Sequence, residues 1–234
     1  MDFIHLSKIA GYATKLNNVL FIVSYQESEP LDSVPELNNI TLVSPDKQMS
    51  RTEHWTFILT KIKLYECHTF SFLFYGDELE CGIFADMVLP RYGMVYSNSY
   101  LICKEGVFSF KRNIRILSDE RKNINLLMNL GLATVAPLQK FLFKKECAER
   151  ISFPEGNPYF SDQEAIMSLL SHEEISLRYV DSPFYIFNLN QRNIENNINL
   201  IAKLKMAKRF FKKYNFKFGF LLYAILQLVK SVTR

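Results

Sequence analysis

Thr69-Phe70-Ser71-Phe72-Leu73-Phe74-Tyr75-Gly76-Asp77-Glu78-Leu79-Glu80 opens as an apolar, aromatic run without charge, breaks at Gly76 and passes at once into two carboxylates. A continuous apolar run of this length predicts a strand buried on both faces, as in a mostly parallel sheet. Open α/β sheets bind ligands just outside the carboxyl ends of such strands. Acids delivered there hold a hard cation, and the cation holds phosphates. A capping box, Asp77 with Glu80 at the start of a following helix, explains the same acids without a ligand.

Upstream, Asp2–Leu16 has helical apolar spacing at Phe3, Leu6, Ile9, Ala10 and Ala13. Val19–Val23 and Ile40–Val43 are short strands, separated by a polar loop holding Pro30 and Pro35. A helix is expected from about Ser50 to Leu64, with Trp55, Ile58, Leu59 and Ile62 on one face. The first eighty residues therefore alternate helices and strands as a layered α/β domain does. Downstream, a helix is expected from Glu80 to Leu89, then a hairpin of Tyr100–Cys103 with Val107–Phe110. Helices Ser118–Leu130 and Ser161–Leu170 and short strands at Lys140–Lys144, Leu177–Val180 and Pro183–Phe187 follow. From Glu195 on the chain is helical, with a break near Asn215–Gly219.

Charge is unevenly placed. The 234 residues carry a net +4, while Leu200–Arg234 holds nine Lys/Arg and no acid, which leaves the body before it at −5. An anionic partner therefore belongs to the tail. Basic and apolar residues alternate over Leu200–Tyr214, and Phe218–Val229 is almost wholly apolar. That pairing suits an interfacial helix on an anionic bilayer, or a helix docked on the body with its basic side in solvent. Its aromatic residues sit among aliphatics rather than on a polar platform, so no nucleic-acid partner is expected. Cys67, Cys81, Cys103 and Cys147 have no C-x-x-C spacing, and with four histidines they complete no zinc pattern. They read as reduced thiols of a cytosolic protein. Neither a signal peptide nor a window of roughly eighteen apolar residues is expected.

Two further clusters invite chemistry. In Ser161-Asp162-Gln163-Glu164, Asp162 has the character of a general base that takes a proton from an attacking hydroxyl, while a Ser161–Glu164 capping box is the plainer account. In Arg51-Thr52-Glu53-His54-Trp55, a cation and an imidazole at a helix start suit phosphate, while a solvated first turn with Trp55 in the core is the plainer one.

Asp46–Trp55 with its helix, Thr69–Glu80, Lys140–Lys145, the loop Pro154–Tyr159, Ser161–Ala165 and Arg178–Tyr185 occur in that order over about Val19–Asn190. Their order and spacing resemble the family 2 glycosyltransferases of bacterial surface-polysaccharide biosynthesis. The resemblance implies a GT-A-like three-layer α/β domain with a mostly parallel sheet over residues 1–192, followed by a basic helical tail over 193–234. It implies that Asp77, supported by Glu78, holds Mg²⁺ or Mn²⁺ on the diphosphate of a UDP- or GDP-sugar donor. Arg51, His54 and Glu27 would contact that donor, and Asp162 would deprotonate a glycan or lipid-linked acceptor, with inversion at the sugar carbon. Work at the inner face of a cytoplasmic membrane follows, with the basic tail on the anionic lipid surface. The family opens with a strand and a Pro-x-Tyr/Phe-Asn turn where this chain starts in a helix, so a shortened member is expected. Tyr75 and Gly76 also stand where acids often stand in the metal motif. The alternative is a catalytically inactive relative that serves as a binding or assembly subunit.

Overall fold

The structure is a computed structural model that describes residues 3–25, 37–74, 76–81, 93–102, 108–111, 114–132, 138–154, 157–188, 199–216 and 218–232. Helix α1 (Phe3–Lys15) leads into β1 (Phe21–Ser24), which pairs in parallel with β2 (Ile40–Val43). Asn39 ties the unit together: its Nδ2 donates to the carbonyls of Ala13 at 2.8 Å and of Leu16 and Val19 at 3.2 Å. Two of those carbonyls lie at the helix end, where intrahelical partners run out. Leu6, Ile9, Ala13 and Leu16 of the α1 region close over Phe21 and Val23 as a small core of their own.

Helix α2 (Arg51–Leu64) starts with a complete capping box: Ser50 Oγ accepts from the Glu53 N–H, and Glu53 Oε2 accepts from the Ser50 N–H. The expected face of this helix is confirmed, with Leu59 and Ile62 buried and Trp55 and Ile58 packed on the core. The main sheet consists of β3 (Thr69–Phe70), β4 (Glu78–Leu79), β5 (Met94–Ile102), β6 (Phe108–Lys111), β7 (Phe141–Lys144) and β8 (Leu177–Asn188), in the order β3-β7-β5-β8-β4 with β6 beside β5. The layered α/β class holds. The expected mostly parallel sheet does not: β3–β7, β5–β7, β4–β8 and β5–β6 are antiparallel, and β5–β8 alone among the described pairs of this sheet is parallel.

The physical reason is visible in the deciding stretch. Only Thr69–Phe70 form ladder bonds, and the chain then continues as non-ladder backbone. Phe70, Phe72 and Phe74 pack on the main core, while Leu73 meets a second cluster of Leu142, Phe184, Tyr185 and Phe187. Apolar clusters meet both sides of the run, which is why it is continuously apolar, and its ladder neighbour is the antiparallel β7. Period-two alternation recurs in β7, where Phe141 and Phe143 enter the main core and Leu142 the other face.

The sheet's core face is covered by α3 (Glu120–Asn129), α4 (Ser161–Leu170), α5 (Leu200–Lys213) and α6 (Gly219–Val232), which all contribute to the main core. The expected break between the last two helices is present, with Asn215 at φ 57°. Of the two readings of the tail, α5 follows the docked one: Ala207, Phe210 and Phe211 are buried against the body. The two strands expected at 177–180 and 183–187 are one strand, irregular opposite Ser97 and Ser99. No helix among the described residues is long and apolar enough to cross a membrane. The expected helix from Glu80 to Leu89 lies almost entirely outside the described residues, as do Glu27, Tyr75 and Cys103.

Candidate functional site

Arg51 is the first residue of α2, and its Nη2 donates to Ser161 Oγ at 3.1 Å across 110 positions of sequence. Ser161 is the first residue of α4 and Asp162 the second, so two helix N-termini meet here. The guanidinium also lies 4.8 Å over the Trp55 ring, a cation–π contact that fixes its plane. One turn along α2, His54 Nε2 hydrogen-bonds Ser24 Oγ at the carboxyl end of β1. Burial pushes the His54 imidazole below its usual range, which favours the neutral ring. Contacts therefore link Ser161 to Arg51 at the start of α2 and His54, one turn on, to Ser24 at the carboxyl end of the parallel β1–β2 pair, the side of a sheet on which open α/β folds place ligands.

The α2 terminus is closed by Glu53, while α4 starts at Phe160 without a side-chain cap. The expected Ser161–Glu164 capping box is absent, and tertiary partners explain why. Ser161 Oγ accepts from Arg51 and donates to the Pro158 carbonyl at 3.2 Å. Glu164 is buried and accepts from Asn157 Nδ2 at 2.7 Å and from Lys213 Nζ at 2.6 Å. Next to this pair, Asn157 Oδ1 and Gln163 Oε1 are buried without a hydrogen-bond partner. Buried acceptors left in that state are costly. Asp162 is half-buried in the first turn of α4.

Asp77 and Glu78 are not assembled as the expected metal pair. Asp77 is 5% exposed. Its Oδ2 accepts from the Tyr185 hydroxyl at 2.7 Å and its Oδ1 from the Asn188 N–H at 2.8 Å. Glu78 points to a different partner, Lys8 of α1, at 2.5 Å. The residues form no capping box either: Asp77 precedes β4, and the Glu80 N–H donates to the Phe184 carbonyl at 3.1 Å. Backbone pairing with β8 thus occupies Glu78–Glu80, and helical backbone is entered only at Cys81. Among the described residues no group of three or more His, Cys, Asp or Glu side chains converges as a metal site. As arranged, this donor set does not fit a divalent ion, and Asp77 acts as a clamp between the Gly76 turn and β8.

Asp77 and the Arg51 cluster are joined by stacked rings. The Asp77 N–H donates to the Phe74 carbonyl at 3.0 Å, the Phe74 ring stacks on Trp55 at 5.0 Å, and Trp55 carries Arg51. The contributions of Ser24, Tyr185 and Asn157 escape sequence reading, since each acts on a residue more than a hundred or tens of positions away or through a loop. Ser24 had one available signal, its place as the last residue of a short apolar strand. A separate surface hollow is lined by Ser118–Arg121, Glu173 and Ile175–Leu177. None of the sequence candidates lines it, and Arg121 there serves structure by donating to the carbonyls of Leu170, His172 and Ile175.

No protein-family profile matches the chain, and no curated protein does. Among solved structures, S. aureus TarS residues 1–349 in complex with UDP-GlcNAc matches at 9% identity and a TM-score of 0.47. The match covers 74% of this chain and 50% of that one, so this chain spans about half the length of the TarS chain.

Proposed function

We propose that the chain is a nucleotide-sugar-dependent glycosyltransferase that passes a sugar to a hydroxyl of a glycan or lipid-linked acceptor in polysaccharide biosynthesis. One observation carries the reading: Arg51 bridges two helix N-termini by bonding Ser161, the residue before Asp162, while His54 one turn further along reaches the carboxyl end of a parallel strand pair. In this reading Asp162 takes the acceptor's hydroxyl proton while the oxygen attacks the sugar carbon. The bond from that carbon to the diphosphate oxygen breaks on the opposite side, which inverts the centre. Arg51 stands where the departing diphosphate gathers charge, and a guanidinium preorganised by Trp55 stabilises it without reorganisation. No step is assigned to a divalent ion, because Tyr185, Asn188 and Lys8 engage the two carboxylates expected to hold it.

Thermal-shift and calorimetric titrations with UDP-GlcNAc and a panel of other UDP- and GDP-sugars test this. A donor that binds raises the melting temperature. Arg51→Ala then weakens binding by about tenfold to a hundredfold, the value of one charge-assisted hydrogen bond. Asp162→Asn keeps donor affinity and loses transfer. If no donor binds at millimolar concentration, the proposal fails. A second reading, an inactive relative used for binding or assembly, is favoured by the engagement of Asp77 and Glu78. It predicts that a donor binds, is never consumed, and is indifferent to Asp162→Asn.

A further inference from the structure

The tail helices expose two different surfaces. On α5, Lys205, Lys208, Arg209 and Lys212 are all exposed and fall at i, i+3, i+4 and i+7, one face of the helix. Its opposite face, Ala207, Phe210 and Phe211, is buried in the body. Helix α6 is inverted in character. Tyr223 is buried, while Leu221 (59% exposed), Ile225 (48%), Leu228 (49%) and Val229 (55%) face outward, preceded by Phe218 (69%) in the turn. Spacings of three, four and three put Phe218, Leu221, Ile225 and Leu228 on one apolar stripe that runs from the turn along the 14-residue helix, with Val229 beside it. A stripe of this kind, with no hydrogen-bonding group in it, marks an interaction surface.

We infer that α6 docks in the plane of an anionic lipid bilayer, its Phe218–Leu221–Ile225–Leu228 stripe among the acyl chains and the α5 cations at the phosphate level. Three observations select this occupant. A helix of 14 residues is about 21 Å long, too short for a hydrocarbon core of about 30 Å, so it lies along the surface. Its neighbour carries four exposed basic residues, and the segment Leu200–Arg234 itself contains no acid. A symmetric contact between two copies through α6 would bring each basic helix toward its own image, like charge near like charge. A bilayer with negative headgroups satisfies both surfaces at once. The location differs from the one periodicity suggests, because the apolar face of α5 is already taken by the core. The inference does not depend on sugar transfer.

Vesicle co-sedimentation of the 234-residue chain tests it, with pure phosphatidylcholine against phosphatidylcholine–phosphatidylglycerol mixtures. Binding is expected to the anionic vesicles and to fall as salt is raised, since exposed charges are screened over about 10 Å at 0.1 M salt. Lys208→Ala and Arg209→Ala each weaken it about fivefold, as expected for one basic residue near an anionic surface. The double variant Leu221→Glu/Ile225→Glu abolishes binding while its melting temperature stays at the parent value, because both side chains already face water. Retained binding in that variant overturns the inference, as does failure of the parent to bind anionic vesicles at low salt. A dimer in size-exclusion chromatography that the double variant splits, without vesicle binding by the parent, overturns it in favour of a second copy.

Discussion

Replacing Tyr185 by Phe asks whether Asp77 clamps the fold or serves a ligand. Tyr185 is fully buried, and its hydroxyl makes two bonds: it donates to Asp77 Oδ2 at 2.7 Å and accepts from the Phe74 N–H at 3.1 Å. The Phe ring keeps the packing on Phe187, whose centroid lies 4.9 Å away, so only the oxygen is lost. A hydrogen bond to a charged group contributes about 1.5–3 kcal/mol, and orphaning the Phe74 N–H costs about 1–3 kcal/mol more. A destabilisation of about 2.5–6 kcal/mol is expected, which moves a urea midpoint down by about 1–2 M if the slope is about 3 kcal/mol/M. Asp77→Asn is milder. Its amide oxygen can still accept from the Asn188 N–H, but its NH₂ then faces a Tyr185 hydroxyl already accepting from Phe74. About 1.5–3 kcal/mol is expected there, from the lost charge assistance. Equilibrium urea unfolding followed by far-UV circular dichroism reads both, with the slope as a check on two-state behaviour. The clamp is refuted if both midpoints stay within about 0.2 M of the parent, a shift of about 0.6 kcal/mol at that slope. It is refuted with equal force if Asp77→Asn leaves stability intact and removes a Mn²⁺ requirement from donor binding.

Gly131 ends the α3 region at φ +73°, and a Cβ there would stand 2.6 Å from the Tyr223 nitrogen of α6. Gly131→Ala therefore destabilises by at least about 2 kcal/mol, from left-handed strain plus the clash with backbone; a melting temperature equal to the parent's would show that α6 is not seated there. Burial lowers the His54 pKa, so its stabilising contribution is complete above the unfolded value near 6.5 and is lost as pH falls through the lower folded value. The stability difference between the parent and His54→Gln should shrink toward pH 5, and a difference constant from pH 8 to pH 5 would contradict the assignment. The Cys147 thiol is buried, donates to the Gly93 carbonyl at 3.2 Å and has its pKa pushed up to about 11, burial being the main cause. It should resist iodoacetamide at pH 8 in the folded chain and react once urea unfolds it, as peptide mass mapping would report.

Much of the fold is legible in the residues, and the limits have a physical pattern. The helix from Arg51 to Leu64, the strand Ile40–Val43, the β5–β6 pairing and the break after Lys213 follow from periodicity and local breakers. Those signals report which side of an element is dry. They do not report what dries it, so the Thr69–Phe74 run is consistent with a parallel neighbour or with the antiparallel β7 actually present. The tail shows the same limit. Alternation in α5 reads equally as a bilayer face or a core face, and only the burial of Phe210 and Phe211 separates the two. Around Arg51, residue type and place single out Arg51, His54 and Asp162 as candidates, whereas the contacts that Ser24, Ser161 and Asn157 make are encoded by no spacing.

Three Ser- or Asp-x-x-Glu patterns of this chain meet different fates. Ser50 with Glu53 forms the box, while Ser161 with Glu164 and Asp77 with Glu80 do not. The motif is an offer that the backbone makes to a nearby carboxylate, and the side chain accepts it when nothing better is in reach. Glu53 is solvated, and the Ser50 hydrogen bonds are the largest causes that hold its carboxyl below the usual range. Glu164 is buried beside an amide and an ammonium that its own helix does not supply. Asp77 is buried beside a phenol and a strand amide. A carboxylate taken out of water must collect strong donors, and in both cases the fold supplies better ones than a helix start does. The box therefore forms at Ser50 and Glu53, where both partners stay at the surface, and not where Glu164 or Asp77 is buried among stronger donors.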